Sequence, residues 1–157
     1  MLEHLFLSRL LREAWTRRHS TIEVLRPEVD SSGYDIVFEH AGVVRHVQLK
    51  TSKMGSRPAS QKVHIALAAK PAGCVIWIEF ADLDLEEKMQ LHYWFLGGGP
   101  AQKLNLEGYP LSRRATPNRE GVRPERPNIR DVPCRVFRPL RDVSEVYQML
   151  FGIPAHN

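Results

Sequence analysis

GYDIVFEHAGVVRHVQLKTSK, residues 33–53, decides the reading of this chain. Two β-like runs, Tyr34–His40 and Val43–Lys50, flank a short break. The spacing predicts a hairpin turning at Ala41 and Gly42, although Ala-Gly is a weaker turn pair than Asn-Gly. With that turn His40 faces Val43. Counting back places Asp35 opposite Gln48, with Lys50 as a diagonal neighbour. An acid, an amide and an amine then share one face with Val37 and Val44, which read as core. Such a cluster at the end of an apolar sheet is costly unless it is satisfied or used. The plainer reading is an Asp35–Lys50 ion pair with Gln48 hydrogen-bonded beside it. A register slip of one residue removes the cluster altogether.

Before the hairpin, residues 2–18 read as a helix, because Leu2, Phe6, Leu7, Leu10, Leu11, Ala14 and Trp15 recur at three- and four-residue spacing. Arg9, Arg12 and Thr16 lie opposite, Glu3 falls near the middle of the apolar stripe, and Glu13 falls toward its edge. A carboxylate aimed at a core needs a partner or a metal. Against that, a first-turn acid is favoured by the helix dipole alone. Thr21–Arg26 reads as a short strand, Pro27–Ser32 as a turn region and 54–60 as a loop. Beyond the hairpin, KVHIAL (62–67) reads as a strand running into a short helical piece that ends at Pro71 and Gly73. CVIWIEF (74–80) is apolar enough for a strand buried on both faces, and LHYWFL (91–96) is a further strand. Residues 97–141 are rich in Pro, Gly and Arg and read as loops with CRVF (134–137) as an edge strand. The last helix, 142–152, carries Asp142 and Glu145 at capping-box spacing and stops at Gly152.

The 157 residues suit one domain. No apolar run reaches the roughly 18 residues of a membrane span, the N-terminus lacks a signal-peptide pattern, and a cytoplasmic setting fits. Cys74 and Cys134 alone exclude a disulfide scaffold or a structural zinc site. Net charge is +4. The excess is concentrated: from Arg113 to Arg141 there are nine arginines against Glu120, Glu125 and Asp131. Arginine forks suit phosphate, so Lys53, Arg113, Arg114, Arg119, Arg123 and Arg126 are candidate nucleic-acid contacts, the alternative being solvated or locally paired side chains. GGGP (97–100) lacks the GK[ST] of a P-loop, and no HExxH or GxSxG is present. His46 and His64 read as satisfied residues at the core edge and His40 as solvated. Tyr93 and Trp94 could stack bases but fit a core strand better.

A helix with Glu3, a strand with Asp35 and a following strand with Gln48-Leu49-Lys50 resemble the PD-(D/E)XK nuclease superfamily. The order and the hairpin look similar to Holliday-junction resolvases, to Mrr-like restriction-type members and to small bacterial relatives with Q-x-K. The resemblance covers about residues 2–80. It implies an α/β fold with a restriction-endonuclease-like αβββαβ core (2–96), a mixed central sheet flanked by helices, and a loop-rich C-terminal extension (97–141) before the last helix. It implies metal-dependent hydrolysis of DNA, with Asp35, the Gln48 oxygen, the Leu49 carbonyl and Glu3 holding Mg²⁺ or Mn²⁺. Lys50 would stabilise charge on the phosphorane, and Glu13 is the alternative helix acid. DNA is the implied partner, a homodimer is an arrangement the family often adopts, and no membrane is involved. Most members carry an acid where this chain has Gln48, and an amide brings no charge. The alternative reading is therefore a catalytically inactive nuclease-fold module that binds nucleic acid or a protein.

Overall fold

Strands β2 (Ile36–His40) and β3 (Val43–Lys53) pair antiparallel in the counted register, from His40 opposite Val43 to Ile36 opposite Val47. Ala41 and Gly42 both take positive φ, 50° and 80°, as a two-residue turn matched to strand twist requires. The computed structural model describes residues 1–29, 32–56, 58–81 and 89–152. Positions 30 and 31 of the predicted turn, position 57 and most of the acidic run, 82–87, lie outside the described residues.

Strand β1 (Glu23–Leu25) extends the hairpin on its outer side. On its other edge β3 pairs in parallel with β5 (Gly73–Phe80). Parallel neighbours need a long crossover. Here it runs through β4 (Ser60–His64) and a 3-10 turn, Ile65–Ala69. Strands β6 (Leu91–Leu96) and β9 (Arg138–Leu140) complete a mixed six-stranded sheet ordered β1-β2-β3-β5-β6-β9. Strands β7 (Leu111–Arg113) and β8 (Glu125–Pro133) join β4 in a second sheet ordered β4-β8-β7.

Helices α1 (Leu2–Arg18) and α2 (Val143–Phe151) cover one face of the large sheet. Phe6, Leu10, Tyr147 and Leu150 pack there with Ile36, Val47, Ile76 and Ile78. The opposite face carries Val75 and Trp77, packed with Val63 and Leu67 of the crossover and Val132 of β8. Thus β5 is buried on both sides, and this is why CVIWIEF shows no alternation. The expectation of helices on both flanks is corrected: the second flank is a small sheet and a 3-10 turn. CRVF is also corrected. Cys134–Val136 is a 3-10 turn, and the strands missed in 97–141 are β7, β8 and β9. At α2, Asp142 accepts from the Glu145 N–H at 3.0 Å and Gly152 takes a left-handed conformation, as the capping pattern predicts. No helix among the described residues is long and apolar enough to cross a membrane.

Several side chains depart from their expected settings. Trp15 is 67 % exposed and Val44 41 % exposed, so neither belongs to the core. His40 is buried instead of solvated. Its Nδ1 donates to the Thr21 carbonyl at 2.8 Å, which leaves Nε2 to accept from the Tyr147 hydroxyl at 2.7 Å. Glu13 is buried beside Arg17 and Arg18, at 3.5 and 3.7 Å. Arg45, in phase with Val43 and Val47, is fully buried. Its guanidinium donates to the carbonyls of Gly98 and Gly99 and lies 5.8 Å from the Phe95 ring. Residues 97–100 are therefore a loop anchored by a core arginine. Burial pushes the neighbouring Cys74 thiol up, with Arg45 offsetting part of that, so the thiol is no nucleophile.

Arg45→Ala leaves a void and two unpaired carbonyls, and should lower unfolding stability by about 3 kcal/mol in a denaturant titration. Ala41→Asn should raise it by about 1 kcal/mol, because asparagine tolerates the left-handed conformation that strains alanine.

Candidate functional site

The paired register ends at Ile36–Val47, one residue short of Asp35. The Asp35 N–H donates to the Val47 carbonyl at 2.9 Å. Val47 is already the partner of Ile36, so Asp35 does not stand opposite Gln48. Two residues facing one is the geometry of a bulge, which re-aims side chains. The Asp35 carboxylate turns back over β3, where its Oδ2 accepts from the Leu49 N–H at 2.6 Å. It thereby reaches the helix side of the sheet. There it lines a cleft of about 650 Å³ together with Glu3, Leu49, Thr51, Ile78 and Phe80.

Glu3 enters this cleft from the first turn of α1. Its Oε1 lies 2.6 Å from Arg26 Nη2. The contact is an ion pair without hydrogen-bond alignment, and that buried oxygen has no hydrogen-bond donor. The partner that a core-facing acid needs is thus present in part: an arginine from just beyond β1 supplies charge but no aligned N–H. Arg26 was the residue missed by sequence reasoning here, since nothing local couples positions 3 and 26.

Gln48 and Lys50 alternate with Leu49 and sit on the other side of β3. Gln48 is buried, and its Oε1 accepts from the His64 N–H at 3.3 Å. It pairs in register with Val75, and Lys50 with Trp77. The expected convergence of acid, amide and amine on one face is therefore split: Asp35, Glu3 and Leu49 share the cleft, whereas the Gln48 amide braces the crossover. Lys50 is half-buried and makes contacts of its own. Beside Gln48, His46 packs edge-on against Tyr34 at 4.9 Å. Burial, reinforced by Lys70, pulls its imidazole below its ordinary value. His64 Nδ1 accepts from the Ala66 N–H at 3.1 Å and caps the 3-10 turn.

The oxygens around the cleft are carboxylates and backbone, a hard set suited to Mg²⁺ or Mn²⁺ in kind. Asp35 brings a carboxylate held by the Leu49 N–H, and Glu3 brings one whose Oε1 lies 2.6 Å from Arg26, so a cation would share it with the guanidinium. These two fit a cation. Gln48 does not as it stands, because its oxygen faces His64. No three His, Cys, Asp or Glu side chains gather as a metal cage among the described residues.

Of the candidate nucleic-acid contacts, Lys53 is exposed at the end of β3. Arg113 pairs with Glu125 at 3.4 Å. Arg114, Arg119, Arg123 and Arg126 are exposed on or beside the β7–β8 hairpin. Tyr93 is buried in the core, and Trp94 stacks on Trp77 at 5.3 Å while donating to Glu79; neither presents a face to a base.

No family model, curated protein or solved structure matches this chain.

Gln48→Leu should cost about 1 kcal/mol by orphaning the His64 N–H, and Gln48→Glu, which keeps the acceptor but buries a charge, should also lower stability. Thermal unfolding of both variants, compared with the wild type, measures the bracing directly.

Proposed function

We propose that the chain is a metal-dependent nuclease that hydrolyses DNA phosphodiester bonds, built on a PD-(D/E)XK-like core. The carrying observation is the meeting of the Asp35 and Glu3 carboxylates in one cleft floored by Leu49. Part of the topology supports this reading: α1 precedes an antiparallel β1-β2-β3 meander and a strand parallel to β3 follows, with β4 and a 3-10 turn in the crossover where the expected core has a helix.

Asp35, Glu3 and the Leu49 carbonyl would hold the cation. When bound, Mg²⁺ or Mn²⁺ supplies Lewis-acid polarisation of the phosphate and lowers the pKa of water. Asp35 is held in place by the Leu49 N–H, so its carboxylate is oriented without a search over rotamers. Ile78 and Phe80 give the cleft an apolar wall, which strengthens electrostatic interactions beside it. Lys50 alternates away from this cleft on β3, so the charge that the family resemblance assigns it against the developing phosphorane would have to be carried past the end of the strand by its flexible four-carbon stem.

A second reading is favoured by a specific observation. Arg26 already neutralises Glu3, and Gln48 is engaged by His64. A module with those side chains so engaged would bind nucleic acid without cutting it.

Plasmid nicking with Mg²⁺ and with Mn²⁺ separates the two. The nuclease reading expects metal-dependent nicks that EDTA stops, that Asp35→Asn abolishes, and that Lys50→Ala slows by about a hundredfold or more. Wild-type protein that never nicks with either metal, yet binds DNA in EDTA, establishes the second reading and removes the first.

A further inference from the structure

We infer that the β7–β8 hairpin is an arm that grips the phosphate backbone of a DNA double helix, and reads neither bases nor single strands. The inference rests on the proposed action on DNA and names the form of DNA taken.

Residues 111–133 hold six arginines against three carboxylates, with no lysine and no Phe, Tyr or Trp. Arginine without aromatics is the composition of a phosphate contact. Single-strand binders add aromatic faces on which bases stack. Elsewhere the aromatics are engaged internally, and Trp15 on α1 is the one exposed aromatic among the described residues. Arg114, Arg119, Arg123 and Arg126 are exposed, and none forms an ion pair among the described residues. Of the three local carboxylates, Glu125 pairs with Arg113 and Asp131 with Lys62 at 3.2 Å, while Glu120 at the tip is exposed and offsets one of the arginine charges there.

The arm is also built to hold its shape. The Arg114 N–H donates to the Pro124 carbonyl at 2.9 Å, closing the base of the loop. At the tip, Asn118 Oδ1 accepts from the N–H groups of Glu120 and Val122, at 3.0 and 2.9 Å. The Asn118 N–H in turn donates to the Val122 carbonyl at 2.7 Å. Arg119 and Arg123 flank this knot, while Arg114 and Arg126 converge from opposite strands and line two adjoining clefts together. A preorganised arm loses less entropy on binding.

His64 connects the arm to β3, on the face away from the Asp35 cleft. Its side lines the cleft of Arg114 and Arg126, and its N–H binds the Gln48 oxygen. A backbone held by Arg114 and Arg126 would therefore lie beside β4, which joins β3 through Gln48 on the face opposite the Asp35 cleft.

The test uses the full chain in EDTA, with fluorescence anisotropy on a labelled DNA duplex of mixed sequence and on its isolated strand, across a salt series. The duplex should bind tighter than the strand, with log affinity against log salt falling at a slope of about −3 to −4, as four phosphate contacts require. Arg114→Ala with Arg126→Ala should weaken duplex binding about tenfold or more and reduce the slope by about 2. Circular dichroism checks that these exposed substitutions leave the fold intact. Equal or tighter binding of the single strand, or a double variant that binds like the wild type, overturns the inference. Its failure is distinct from that of the nuclease reading: Asp35→Asn should bind the duplex unchanged, so loss of nicking alone leaves the arm standing, and nicking that survives Arg114→Ala with Arg126→Ala at full affinity removes only the arm.

Discussion

The phase of β3 is the constraint on which everything else rests. This strand has neighbours on both edges and a packed layer on both faces. Its side chains alternate with a period of two, so the turn at Ala41 and Gly42 decides which layer each one enters. In the observed phase Val47 and Leu49 meet the helices, Arg45 meets Gly98 and Gly99, and Gln48 meets His64. A slip of one residue would put the Gln48 amide among Phe6, Leu10 and Ile36 and take Val47 out of that layer. The cost of such a slip is what tolerates a strained Ala41 in the turn.

The hairpin, α1, β5 and α2 were legible in the sequence because each is specified locally: by a turn, a stripe of 3.6 period, an unbroken apolar run and a cap. The second sheet was not. Strand β8 is exposed over Glu125–Asn128 and carries no clear alternation, and its partner β4 lies some seventy residues earlier. Its pairing is a tertiary fact. The same holds for His40, whose burial depends on Thr21 and Tyr147, and for Glu3, whose charge is met by Arg26. At the site, the register count was correct through Ile36 and failed at Asp35. The failure was a bulge, and a bulge at a strand's first residue leaves no mark in an apolar pattern. Arg45 could have been suspected, as it falls in phase with Val43 and Val47, yet its partners are two glycine carbonyls that sequence does not couple to it.

The cleft is balanced without a cation. Glu3 sits in the first turn of α1, where the helix dipole favours a negative charge, and Arg26 adds a full positive one. Asp35 is stabilised by a backbone N–H. A divalent ion entering here would compete with Arg26 for Glu3. Any affinity for metal in such a cleft would depend on displacing Arg26 from Glu3 as well as on the acids themselves. Phosphate offers Arg26 an alternative partner, so substrate and cation would favour each other's binding in this arrangement.

Gln48 then takes on a different meaning. A carboxylate at that position would be buried against Val75 and held by one N–H. Burying an ionised carboxylate so is unfavourable unless a cation or a second donor meets it. The protein would depend on bound metal to keep β3 against β4. An amide accepts the same N–H with no charge to bury. The residue that looked like a weakened metal ligand is therefore well suited to joining the two sheets, and it does so at the point where β4 leads toward the arginine hairpin. An amide at this position keeps the crossover in place with no charge to neutralise.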